Sequence, residues 1–192
     1  MPTFISPFLI PHSILYQRGV YYSDNFEVAE KYGMTTMVTT NQELIDYIKK
    51  IIQQLEIWLK SNSICKWVIV IRLLDTGEVV ERWHFDIVVN DIKTTTDNTI
   101  ERAEEIQKAA VRQIQGILRQ ITASVSYLPD FKEECTFNVL VYGNKGIEIP
   151  KGWGDSHAHL IEGGGQHLRL KSLSTSIHQV EPFVAYKMDE TL

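Results

Sequence analysis

Apolar positions recur along this chain with two different periods, and each period predicts a different element. Leu44, Ile48, Ile51, Ile52, Leu55 and Leu59 return every three or four places, the spacing that keeps side chains on one face of a helix. Thr40 followed by Glu43 reads as a capping box, in which hydroxyl and carboxylate each satisfy a free amide at the helix start. A helix over residues 40–60 is predicted, with one buried stripe. A longer one is predicted over residues 99–126, striped by Ile106, Ala110, Ile114, Ile117, Ile121 and Val125 and ended by Pro129. Gly116 within it costs about 1 kcal/mol relative to alanine.

The second period is two. "KWVIVIRLL" at 66–74 is short and β-branched, which predicts a buried strand. Asp75, Thr76 and Gly77 supply a turn, and 78–89 returns with Trp83, Phe85, Ile87 and Val89 facing one way and Arg82, His84 and Asp86 the other. That alternation predicts a sheet with one covered face and one wetter face. A polar loop fills 91–98, and strands are predicted at 135–143, 146–150, 168–177 and 183–188. The order of elements predicts an α+β fold, with helices packed on one face of a mainly antiparallel sheet.

Composition narrows the class. The chain has 192 residues, of which 44% are apolar, enough for one domain with a real core and incompatible with disorder throughout. Nineteen basic against twenty-four acidic residues leave a net charge of −5, which argues against nucleic acid as the main ligand. Cys65 and Cys135 cannot build a disulfide framework and fit a reducing compartment. No apolar run is long enough to span a bilayer, and Pro2, Pro7 and Pro11 interrupt a start that lacks a basic signal region.

Candidate chemistry is sparse. Asp75-Thr76-Gly77 follows apolar residues as the catalytic triplet of retroviral-type aspartic proteases does, where two aspartates share a proton. The same three residues make an ordinary hairpin turn. His157, His159 and His167 have the look of metal ligands, but they lie among glycines in a loop with no nearby cysteine, which favours a solvated segment. No nucleophile elbow, phosphate loop, dinucleotide fingerprint or HExxH helix is present, and Gly163–Gly165 lacks the strand–helix setting of a phosphate cradle. No cofactor is expected, and a binding role rises by elimination.

Several segments taken together carry a resemblance. "SILYQRGVY" (13–21), "KYGMTTMVTT" (31–40), "GEVVERWHFDI" (77–87), "ILRQITASVSYLP" (117–129) and "STSIHQVEPFVAYK" (174–187) resemble, in order and interval, the HORMA-domain proteins of the spindle checkpoint, the mitotic-arrest-deficient type. The resemblance implies a HORMA-like α+β fold over 1–192, with 1–12 as an atypical start, 13–150 as the core and 151–192 as a mobile C-terminal β "safety belt". It implies a non-enzymatic conformational switch. A partner's extended segment adds to a sheet edge, the belt crosses over it and docks elsewhere, and anaphase is delayed. The implied partners are the activator of the anaphase-promoting complex, a kinetochore-recruiting coiled-coil protein and a second copy in an open–closed dimer. The implied locations are nucleus, kinetochore and cytoplasm. An adaptor in translesion synthesis or the meiotic axis is the alternative from the same fold, and a protease using Asp75 a distant third.

Site residues follow from the same resemblance. Trp58 matches a tryptophan near the peptide groove, Phe137 and Val139 lie on the strand beside the belt, and Trp153 begins the belt. Leu168, Leu170, Val184 and Tyr186 supply alternating apolar side chains for a tail strand, and these four are expected to bind the partner peptide together with Trp58, Phe137, Val139 and Trp153. Arg119, Gln120 and Tyr127 match the dimer surface. The start departs from the family, because "MPTFISPFLIPH" stands where relatives have a longer helix, and its prolines predict no regular helix. Such a start removes a strand that competes with the tail for sheet edge, so the closed arrangement is expected to be favoured.

Overall fold

A computed structural model describes residues 7–89, 100–174 and 178–188. The first departure from the sequence reading is a helix, α1 (Leu9–Gln17), that contains Pro11. Pro11 is its third residue, and the first amides of a helix have no acceptor within it, so the missing N–H costs little there. Leu9, Ile10, Ile14 and Leu15 are all buried, and this apolar content outweighs the prolines. A hairpin of β1 (Phe26–Lys31) and β2 (Met34–Thr39) follows. Helix α2 (Gln42–Lys60) starts one residue later than the capping-box reading requires. Its cap is Asn41, whose side-chain oxygen accepts from the Leu44 amide at 3.1 Å. Thr40 lies outside the helix and donates its amide to the Asn25 carbonyl at 2.7 Å.

Strands β3 (Ile64–Leu73) and β4 (Val79–Val89) pair across the turn at Asp75–Gly77. Helix α3 (Ile100–Ser124) buries Ala110, Ile114, Ile117, Leu118 and Ile121, while Ile106 and Val125 are only half-buried. Then come β5 (Cys135–Gly143), β6 (Gln166–Arg169), β7 (Leu173–Ser174) and β8 (His178–Tyr186). The main sheet runs β5-β3-β4-β8-β6, with β7 also on β8 and every pairing antiparallel.

The sheet alternation sorts its two faces. Trp67, Ile69, Ile71, Trp83, Phe85, Phe137 and Val184 meet Ile48, Leu55, Ile117 and Ile121 of the helices in one core. Val68, Val70, Val79 and Ala185 point the other way and are covered by Ile161 of the tail. That face is drier than the alternation predicts: Arg82 and His84 are buried, and His84 stacks on Phe183 with centroids 4.1 Å apart.

The tail differs from its predicted form in three places. Residues 146–150 form no strand; the Ile147 amide closes a turn on the Asn144 carbonyl at 3.2 Å, and the segment packs by α2 instead. The strand predicted at 168–177 is broken. Leu170 donates its amide to the Pro182 carbonyl at 3.0 Å, but Pro182 has no N–H to return, so the ladder stops there. The last strand starts at His178, not at 183. The predicted loop at 91–98, and Ile177, lie outside the described residues.

Candidate functional site

Strand β5 lies at one end of the sheet order and is paired on one side only, by β3. The phase of its hydrogen bonds can be read from its end. Leu74 donates its amide to the Glu134 carbonyl at 2.8 Å, in the register that continues through Arg72↔Thr136 and Val70↔Asn138. Antiparallel partners alternate between bonded and non-bonded pairs. Thr136, Asn138, Leu140 and Tyr142 therefore bond to β3, while Phe137, Val139 and Val141 turn their N–H and C=O groups to the outer edge. Along that edge no described strand is paired.

The chain leaving β5 curls back around this edge. The Asn144 amide donates to the Ser63 carbonyl at 2.9 Å, and the Asn144 side chain donates to the Asn62 carbonyl at 2.9 Å. Gly143 lets the Ile147 side chain come close: a Cβ on it would lie 2.8 Å from Ile147 Cδ1, and the isoleucine would have to move aside. The Trp58 indole, buried at the end of α2, donates to the Glu148 carbonyl at 3.4 Å. Trp153 meets Trp58 edge-on, with centroids 4.8 Å apart, on the helix side of the sheet. Ile161 is buried on the opposite side. Residues 154–160 therefore pass from one face to the other around the outer edge of β5. Between them and the strand lies a cleft of about 330 Å³, walled by Trp58, Val139, Val141, Ile147 and Trp153 and by Asp155–Ala158.

Beyond Ile161 the tail crosses to the far side of the sheet. Gly165 adopts φ +67, and a Cβ on it would lie 2.8 Å from the Tyr186 carbonyl, so β6 can start only from a glycine. Strand β8 then occupies the edge of β4 in register from Glu81↔Tyr186 to Val89↔His178. His178 Nε2 lies 2.9 Å from Asn62 Oδ1, so Asn62 holds both the start of the tail and the start of β8. Burial pushes the His178 imidazole below its ordinary range.

The residues singled out from sequence divide between these places. Trp58, Val139 and Trp153 meet at the cleft. Phe137 sits on the same strand, its ring between Tyr21 and Tyr47 with centroids 6.2 and 5.6 Å away. Leu168, Leu170, Val184 and Tyr186 lie across the sheet, where Val184 pairs with both Trp83 and Leu168 and all four pack on the helix-side core. They dock the tail and do not line the cleft. Arg119 lines a separate groove of about 440 Å³ with Tyr16, Met34, Met37 and Leu118. Gln120 clamps the Lys171 backbone: its Oε1 accepts from the amide, and its Nε2 donates to the carbonyl at 3.3 Å. Tyr127 is 73% exposed in the turn after α3.

Sequence reading missed the place of Ile147 in the cleft, having put it in a strand at 146–150, and it missed the 155–158 wall. Residues 155–158 have no periodicity, and only the glycines around them signalled an unusual path. Of the tail histidines, His157 lines the cleft, His159 Nε2 lies 3.0 Å from Ser156 Oγ, and His167 faces the Phe183 ring at 5.7 Å.

A sheet edge that no described strand pairs, with the C-terminal segment passed around it and fastened to the opposite side of the sheet, is a specific topology. The HORMA domain model matches residues 9–178. The chain belongs to the HORMA family. Among its HORMA relatives, the human mitotic spindle assembly checkpoint protein MAD2A is 43% identical over 92% of this chain and 84% of its own length. The fission yeast mitotic spindle checkpoint component mad2 is 39% identical over 93% and 86%. A chain in the crystal structure of the mitotic checkpoint complex superposes with a TM-score of 0.80 at 38% identity, covering 93% of this chain and 92% of that one.

These matches place the chain with HORMA proteins of the spindle checkpoint, which work as conformational-switch binding proteins and not as enzymes. It acts by binding checkpoint partners. The protease reading of Asp75 is thereby overturned. Asp75 is exposed in the β3–β4 turn, and Gly77, at φ +72, donates its amide to the Leu73 carbonyl at 3.0 Å.

Proposed function

We propose that this chain captures an extended peptide from a checkpoint partner as an added strand on the outer edge of β5, beneath residues 154–160. The observation that carries this reading is the row of outward peptide groups at Phe137, Val139 and Val141, enclosed by a segment that wraps from Trp153 to Ile161. Main-chain bonds to such an edge give affinity in any sequence, and pockets for alternate side chains give selectivity. Guest side chains opposite Val139 and Val141 share the helix face and meet Trp58, Ile147 and Trp153.

The partners this reading names are the anaphase-promoting complex activator and the kinetochore-recruiting coiled-coil protein, at kinetochores and in nucleus and cytoplasm. The tail is the moving part. Its crossing over one edge and docking on another is the form the family resemblance ties to a held partner, and release requires β8 to leave β4. Arg119, Gln120 and Tyr127 form the face on which a second copy docks.

Capture is tested with immobilised extended peptides derived from the activator and, in parallel, from translesion polymerases. The activator peptide is expected to be retained, and Trp153→Ala to weaken retention about tenfold or more, the usual cost of losing a central aromatic anchor. Retention of the polymerase peptides alone would support the translesion reading instead.

A further inference from the structure

Resting on the capture reading above, we propose that Asn62 is a positioning residue: its side chain clasps the docked tail and so sets how long an enclosed peptide is held. Asn62 stands just past the end of α2. Its amide donates to the Leu59 carbonyl at 3.1 Å, the Ser63 amide donates to the Trp58 carbonyl at 2.9 Å, and its backbone is left-handed at φ +50. This pair of hydrogen bonds closes a helix on a residue that is most often glycine. Glycine takes a positive φ without strain, so the backbone gives no reason for a side chain at this position. The asparagine side chain is used elsewhere.

It reaches the tail. Asn62 Oδ1 lies 2.9 Å from Nε2 of His178, the first residue of β8. The Asn62 carbonyl accepts from the Asn144 side chain at 2.9 Å, and the neighbouring Ser63 carbonyl accepts from the Asn144 amide at 2.9 Å. Both ends of the segment that wraps the β5 edge thus converge on the close of α2, the helix whose Trp58 walls the cleft. The two attachments differ in kind. The bonds to Asn144 continue the pairing of Gly143 with Ile64 at the end of β5 and need no docked tail. The contact with His178 exists only while β8 lies on β4, where Val89↔His178 is the last pair of the register. A contact made in one arrangement alone stabilises that arrangement alone. It therefore resists the undocking that frees a guest, and it has no part in the guest's entry.

The register says where opening is felt. Lys187 donates its amide to the Val80 carbonyl at 2.9 Å, which fixes the phase of β8: Gln179, Glu181, Phe183 and Ala185 turn their amides to β4. Gln179 and Glu181 are the ones nearest the clasp. The far end of β8 is fastened separately, where Lys187 pairs with Glu78. Loss of the clasp thus frees the His178 end of the strand first.

Asn62→Gly tests the clasp cleanly. It keeps the left-handed backbone and the carbonyl that holds Asn144, and it removes the side chain that meets His178. Association and release of the extended activator-derived peptide are timed on the full chain, and amide exchange is followed in the same proteins without peptide. Asn62→Gly is expected to release the peptide about three- to tenfold faster, the size of one net hydrogen bond. Entry is expected to be no slower and the melting temperature no lower, both of which a damaged fold would change. The Gln179 and Glu181 amides should exchange faster and the Ala185 amide should not. In a His178→Ala background, Asn62→Gly should add little, because the contact is already gone. Release from Asn62→Gly at the wild-type rate, unchanged exchange at Gln179, or an undiminished effect in His178→Ala would overturn the clasp while leaving capture intact. Retention of no peptide by the wild type would overturn the capture reading, and this inference with it.

Discussion

Arg18 and Glu81 are almost fully buried, with their charged groups 2.9 Å apart. Glu81 also accepts from the Trp83 indole at 2.6 Å, and Arg18 donates to the Pro129 carbonyl at 2.6 Å and lies over the Phe131 ring. This pair ties the end of α1 to β4 and to the chain after α3. Burial raises the Glu81 carboxyl above its usual range even against the Arg18 charge, so the pair holds only while both partners stay. Arg18→Ala is expected to destabilise the fold by about 3–5 kcal/mol, the cost of stranding a buried charge, as read by urea denaturation. Two histidines set the acid limit. Burial lowers His12 from 6.5 to about 4, and burial followed by the Arg82 and Lys66 charges lowers His84 from 6.5 to about 3. Both pKa values lie below the unfolded one, so the unfolded chain takes up protons first on acidification. Their contribution is complete above about pH 6.5 and is lost as the pH falls toward 4 for His12 and 3 for His84. His84→Gln should flatten part of that slope in melts between pH 7 and 4; an unchanged slope would rule His84 out as a source.

Helices α2 and α3 and the central strands were legible in the sequence because one physical cause dominates each. The stripe from Leu44 to Leu59 and the alternation around Trp83 and Phe85 express burial against a single layer, and period alone identifies them. The tail was legible only in part. Strands β6 and β7 are short, and Pro182 interrupts the ladder at a place that becomes visible only when Leu170 is opposite it. Helix α1 was hidden because proline content was weighed without its position in the first turn. The cleft was half-visible: Trp58, Val139 and Trp153 came from resemblance, while 155–158 owe their place to a path no periodicity encodes. Two element-scale outcomes follow. Gly116 lies in α3 with open space where a Cβ would sit, so Gly116→Ala should add about 0.5–1 kcal/mol of stability, measured by denaturant titration. Gln120→Ala removes the clamp on Lys171, so the amides near β7 should exchange faster, while Arg119→Ala leaves them unchanged. Equal exchange in the two variants would mean that the clamp does not hold the tail.

At the scale of the molecule, one side of the sheet is taken by the chain's own tail, and no described strand pairs the outer edge of β5. β8 fills the edge of β4, and Asn62 fastens both ends of the wrapped segment through Asn144 and His178. The outward amides of β5 are the surface on which the functional account stands. Residue-resolved hydrogen exchange, with and without an extended activator-derived peptide, reads them directly. Phe137, Val139 and Val141 are expected to become protected on adding the peptide, while Asn138 and Leu140, already bonded to β3, change little. Uniform protection along β5, or protection of none of the three outward amides, would contradict strand addition at this edge.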